Sequence, residues 1–158
     1  MEKEIEDLIS KMERSRARLN IALDKVAPQI EVYPTWKTKQ ILDHIAGWDE
    51  LVYASLQAYS EGNPPPSIVE MNIDQYNSAS VADRRDLSLE QSGQACKKSR
   101  ARVIQALKDL SPEMLSKTYP APWGGMCTIP SIMKIFVSHE LEHARQIEKV
   151  LKSSNPTE

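Results

Sequence analysis

The chain carries three histidines, His44, His139 and His143, and their spacing is the first feature able to do chemistry. His139 and His143 are four residues apart, so on a helix their rings project from one face about a turn apart. Two imidazoles in that relation can hold one metal ion. His44 falls among Ile41, Ile45 and Trp48, on what the 3-and-4 apolar spacing makes an inward stripe. A single histidine on such a stripe is commonly just a hydrogen-bonded core residue. Three inward histidines, with none elsewhere, point instead to a three-nitrogen site for a divalent ion. Such a site keeps the open position that catalytic centres use for water or substrate. Imidazole ligands alone suit zinc, nickel, copper and iron alike.

The segment His139-Glu140-Leu141-Glu142-His143 also has the HExxH form of zinc metalloproteases, in which Glu140 would be the general base. Those enzymes usually take a third ligand downstream, whereas no histidine follows His143, and no substrate-binding sheet is expected here. In the three-histidine reading Glu140 is the nearest acid, able to orient a water or to support a ligand imidazole. As a solvated helix residue it needs no role at all. Trp48, Asn77 and Trp123 are pocket candidates: Trp48 one turn beyond His44, Asn77 at the mouth, Trp123 beside Gly124-Gly125 as a lid. Core packing, capping and loop packing are their ordinary alternatives. Cys127 adjoins a helix start, where the helix dipole lowers a thiol pKa modestly. Arg14, Arg16, Arg18, Arg100 and Arg102 read as solvated helix faces.

These residues need helices to position them. Apolar side chains at Ile5, Leu8, Ile9, Met12, Leu19, Ala22, Leu23 and Val26 predict a first helix from about Glu2 to Val26, ended by Pro28. A second starts near Thr35 or Thr38, either able to cap it, and runs to Glu61, where Gly62 and Pro64-Pro65-Pro66 close it. Its inward stripe is Ile41, His44, Ile45, Trp48, Leu51, Val52 and Ser55. Residues 62–87 are long for a tight connection and read as a crossover with some local structure, a helical turn near 72–77 included. Ser88-Leu89-Glu90-Gln91 has capping-box form and opens a third long helix to about Leu110, with Leu89, Cys96, Val103, Leu107 and Leu110 inward. Ser111-Pro112-Glu113 starts a short turn, and a loop follows from Thr118 to Gly125. Thr128 and Pro130 then open the last helix, with Ile132, Met133, Phe136, Ile147 and Val150 inward. Four long helices and almost no strand alternation predict an all-α four-helix bundle over residues 1–158.

Composition bounds the remaining choices. The 158 residues, 41% hydrophobic and 27% charged, suit one folded domain. A formal charge of −2 and a pI near 6.0 offer no basic face for phosphate backbones, so nucleic acid is not an expected partner. The charged start Met1-Glu2-Lys3-Glu4 lacks the apolar run of a secretory signal, and no stretch reaches the length of a membrane span. A cytoplasmic protein is expected, with Cys96 and Cys127 as free thiols.

The stretch from Trp36 to Trp48, WKTKQILDHIAGW, the segment Ile73-Asp74-Gln75-Tyr76-Asn77, and the run from Ser138 to Ile147, SHELEHARQI, resemble the motifs of the DinB/YfiT-like superfamily of metal-dependent enzymes. The resemblance spans about residues 5–150. It implies an up-down-down-up four-helix bundle with a long crossover between the second and third helices. It also implies zinc, nickel or a similar ion on His44, His139 and His143, and commonly a homodimer. The superfamily includes thiol-dependent S-transferases and isomerases, which makes a low-molecular-weight thiol a conceivable cofactor. The function expected is that of a metal-dependent hydrolase or thiol transferase acting on a small electrophilic substrate. The alternative is a bundle that sequesters a metal or a small molecule without turnover.

Overall fold

A computed structural model describes residues 2–154. Its elements are α1 (Glu2–Asp24), α2 (Thr38–Glu61), α3 (Ile73–Asp83), α4 (Leu89–Lys108), a 3-10 turn (Pro112–Ser116), β1 (Thr118–Pro120), β2 (Met126–Thr128) and α5 (Ile129–Ser154). The fold is all-α, as the periodicity predicts, with α1, α2, α4 and α5 as its long helices. Packing is pairwise: α1 lies chiefly on α5, and α2 on α4, while α3 rides on α2.

Most boundaries follow from their local chemistry. Ser88 and Gln91 form the expected box at the start of α4, with Gln91 N–H donating to Ser88 Oγ at 3.1 Å. Thr128 Oγ1 accepts from Ser131 N–H at 3.3 Å at the start of α5. Gly62, at φ 73°, ends α2 in the left-handed conformation that glycine adopts without a Cβ clash.

Other boundaries differ from expectation. Neither Thr35 nor Thr38 caps α2. Lys37 holds that position, its backbone N–H donating to Gln40 Oε1 at 2.9 Å, and Thr38 is already helical. The crossover contains a full helix, α3, where only a turn was expected. Asn72 caps it, accepting from Gln75 N–H at 2.7 Å. Its one fully buried residue is Ser80, so it shows no apolar stripe. The loop expected over 118–125 belongs to a small antiparallel hairpin pairing Tyr119 with Cys127. Leu89, expected inward, is 37% exposed in the first turn of α4.

The core divides in two. One apolar cluster gathers Ile5, Leu8, Met12, Val52, Leu56, Leu107, Ile132 and Met133 among others. The second gathers Leu19, Leu23, Ile41, Ile45, Cys96, Ala144 and Ile147. Between them lies a layer of buried charge contributed by all four long helices: Ser15 and Arg16, Asp49, Ser99 and Arg100, and Glu140. Arg16 donates to Asp49 Oδ2 at 3.0 Å and to Glu140 Oε2 at 3.3 Å. Arg100 donates to Asp49 Oδ1 at 3.2 Å and to Glu140 Oε2 at 2.6 Å. Ser99 and Ser15 each add a hydroxyl donor, to Asp49 at 2.8 Å and to Glu140 at 2.9 Å. Two guanidiniums thus meet two carboxylates with their hydrogen-bonding capacity largely satisfied, the condition under which buried charge is tolerable. Arg16 and Arg100 are therefore not the solvated residues that the sequence suggests. Each falls in a gap of its helix's apolar stripe, and that in-register gap is the signal that could have located them.

Candidate metal centre

The three histidines converge from α2 and α5. His44 Nε2 lies 3.1 Å from His143 Nε2, which lies 3.0 Å from His139 Nε2. Ligand nitrogens at 2.0–2.1 Å around a tetrahedral ion sit about 3.3 Å apart, close to these two separations, and the donor atoms of all three rings lie within 4.8 Å of one another. Among the described residues this is the one group of three ligand-type side chains whose donor atoms fall within metal-binding range of one another.

The protonation state suits the same use. Burial lowers the pKa of His44 from 6.5 to about 3, and the neighbouring His143 and His139 push it further the same way. Burial, then His139, lowers His143 to about 4, and burial also lowers His139. All three are neutral near pH 7, the form in which an imidazole ligates metal.

A tight turn over the site, between α1 and α2, supplies aromatic neighbours. Tyr33 and Trp36 exchange backbone hydrogen bonds, with Trp36 N–H donating to Tyr33 O at 2.9 Å. Pro34 and Thr35 fill the bend, and Thr35 has a φ of 69°, the only positive value at a non-glycine among the described residues. A β-branched residue there is strained by about 1–2 kcal/mol. The turn sets Trp36 5.0 Å from His44 and Tyr33 5.7 Å from His143, between ring centroids. Tyr33 Oη lies 2.8 Å from His143 Nδ1 and 2.5 Å from Gln146 Oε1. Burial, with the charge of Glu142, raises the Tyr33 pKa to about 12, so its hydroxyl stays protonated.

On the other side, Trp48 stands 6.0 Å from His139 and 6.3 Å from Trp123, and its indole N–H donates to Asn77 Oδ1 at 2.8 Å. The structure thus gathers Trp48, Asn77 and Trp123 into one wall that reaches the histidines. Glu140 lies elsewhere. It is 3% exposed, and both its carboxylate oxygens are engaged by Ser15, Arg16 and Arg100. Cys127 differs from expectation in that burial raises its pKa rather than the helix end lowering it. Both cysteines are free. Sequence reasoning missed Tyr33 and the buried arginines. Tyr33 lies in an irregular connection that no periodicity describes, and only its position shortly before the Trp36 segment could have marked it.

The sequence profile described as the DinB superfamily matches residues 11–147. No curated protein matches the chain in sequence. Among solved structures, the mycothiol-dependent maleylpyruvate isomerase superposes with a TM-score of 0.75 at 14% identity, over 90% of this chain and 60% of the isomerase. The chain therefore spans about three fifths of that relative's length. The colibactin self-resistance protein ClbS, solved in complex with a dsDNA, superposes with a TM-score of 0.77 at 18% identity, over 94% of this chain and 95% of that one.

The sequence leads one to expect a small-molecule substrate, no nucleic acid, no membrane and a homodimer, and the ClbS complex overturns the exclusion of nucleic acid from that partner set. A protein of this fold does bind duplex DNA, so a net charge of −2 does not exclude such a partner. Net charge averages over a surface, whereas phosphate contact depends on the local field. Here Arg14, Arg18, Lys25 and Lys152, with Glu148 the only acid, line one groove of about 710 Å³ between α1 and α5. Neither neighbour's description supports the homodimer. No helix of the described residues is long and apolar enough to cross a membrane.

Proposed function

We infer that this chain, which belongs to the DinB superfamily, holds one divalent metal ion on His44, His139 and His143 and serves as a metal-dependent hydrolase or thiol transferase. The observation that carries this reading is the convergence of three neutral imidazoles from two different helices, with His143 Nε2 lying 3.1 Å from His44 Nε2 and 3.0 Å from His139 Nε2. Three imidazoles leave a coordination position open, and an ion there would bring the pKa of a water or a thiol toward neutrality. The chain's own residues supply the rest. Trp48, Trp123 and Asn77 form a largely apolar wall with one amide, suited to hold a small electrophile and to keep bulk water away. Glu140 is committed to Arg16 and Arg100, so its part is to anchor the helix carrying His139 rather than to take a proton. Zinc or nickel is the metal proposed. A low-molecular-weight thiol is the first nucleophile to try, since one neighbour of this fold is described as mycothiol-dependent.

The test is elemental analysis of untagged protein, then melting curves with and without the metal found. A ligand that binds only the folded state adds about 2.7 kcal/mol at a hundredfold excess over its dissociation constant. The wild type should show that increment and the variants His44→Ala, His139→Ala and His143→Ala should lose most of it while keeping their helical content. Full increments in all three variants would end the metal reading. Turnover of a thiol and ester panel by the loaded protein separates an enzyme from a bundle that only sequesters metal.

A further inference from the structure

We propose that Tyr33, with Gln146 and Glu142, is a positioning device that fixes the tautomer of His143 and so presents its Nε2 lone pair to the site. The proposal rests on the metal reading for its purpose, though not for its geometry. An imidazole can ligate through Nε2 only if its remaining proton sits on Nδ1, and the partner of Nδ1 decides which nitrogen keeps it. His44 Nδ1 is buried with no hydrogen-bond partner. His143 Nδ1, by contrast, lies 2.8 Å from Tyr33 Oη.

The direction of that bond follows from what the tyrosine does next. Gln146 Nε2 donates to Glu142 Oε1 at 3.3 Å, a carboxylate that can only accept, so Gln146 turns its Oε1 toward Tyr33. The tyrosine hydroxyl has one proton and gives it to that oxygen at 2.5 Å. Its own oxygen must then accept from His143 Nδ1–H. All donors in the chain His143, Tyr33, Gln146 point outward to the Glu142 carboxylate, an arrangement in which each bond polarises the next. The strained turn at Thr35 is what brings Tyr33 into place, since the residue lies on neither ligand-bearing helix.

The experiment reads the histidine nitrogens directly. Long-range proton–nitrogen spectra of metal-free, nitrogen-15 labelled protein near pH 7.5, assigned against His143→Gln, should show His143 protonated on Nδ1. Tyr33→Phe keeps the ring and removes only the hydroxyl. It should leave His143 as a mixture of tautomers and weaken affinity for added zinc by roughly tenfold to a hundredfold. Gln146→Leu, which removes the acceptor for the tyrosine proton, should lose both properties. A wild-type His143 protonated on Nε2, or a Tyr33→Phe protein with unaltered tautomer, would overturn the proposal. Because the spectra are taken without metal, they decide the relay even if the wild type proves to bind no ion, which would count against the metal reading alone.

Discussion

Protonating any one of the three histidines forces a positive charge into a site that burial has made hostile to it. The folded-state pKa values of His44 and His143, about 3 and about 4, lie below the ordinary 6.5. Between those limits the unfolded chain binds more protons than the folded one, so stability falls as pH falls through that window. For the metal-free protein we expect a loss of about 1 kcal/mol for each of these two histidines between pH 7.5 and 5.5. Urea midpoints at the two pH values would show it, and His44→Gln should remove part of the slope. A flat profile over this range would mean that the rings are better solvated than the geometry indicates. At this scale the histidine cluster was legible because histidine is rare in the chain and two of its three are four residues apart. The environment that tunes them was not. Arg16 and Arg100 look like any surface arginine until the stripe they interrupt is laid against the stripes of the other helices.

Among the elements, α3 shows how a piece of the site can escape periodicity. It buries almost nothing apolar, yet it delivers Asn77 to Trp48 and is pinned by Tyr76 Oη donating to Gly47 O at 2.7 Å. Gly47 makes that approach possible, because a Cβ there would come within 2.7 Å of Ser80 Cβ. Gly47→Ala should therefore push α3 away from α2 although alanine favours helix, at a cost of about 1–3 kcal/mol. Urea unfolding measures the loss, and the tryptophan emission of the folded state should shift as the indole N–H of Trp48 loses Asn77. Wild-type stability in this variant would show that α3 sits less tightly than described. The four long helices were readable from their stripes and caps. The capping pair Asn72 and Gln75 gave α3 the same kind of start signal as Ser88 and Gln91 give α4. Without an apolar face behind it, such a pair does not by itself mark a helix. Strands of three residues, as in β1 and β2, are too short to alternate visibly.

The molecule as a whole is two apolar clusters held on either side of a charged layer. Arg100 is the busiest member, bonded to Asp49, Glu140 and the backbone of Met12 and lying over the ring of Phe136 at 5.1 Å. Arg100→Met is close in length but strands part of two buried carboxylates, and we expect it to cost about 3–5 kcal/mol. Denaturant midpoints test this, and a loss below 1 kcal/mol would show that water or Arg16 takes over. Fold class was legible at this scale because helical spacing dominates the chain, whereas the layer depends on which helices meet and became visible only once they were packed.

The layer has a consequence for how the histidines find one another. Helices in a bundle can in principle slide, since one methyl group packs against another much as the next would. Here a slip of one turn, about 5.4 Å, would set a guanidinium or a carboxylate among the methyl groups of Leu19, Val52 or Val103. Asp49 follows His44 on α2, and Glu140 directly follows His139 on α5. The ion pairs that hold those two acids level therefore also hold the imidazoles level. The bundle behaves like a keyed shaft, its key cut in charge, and the three rings arrive at a common height because their neighbours could fit at no other.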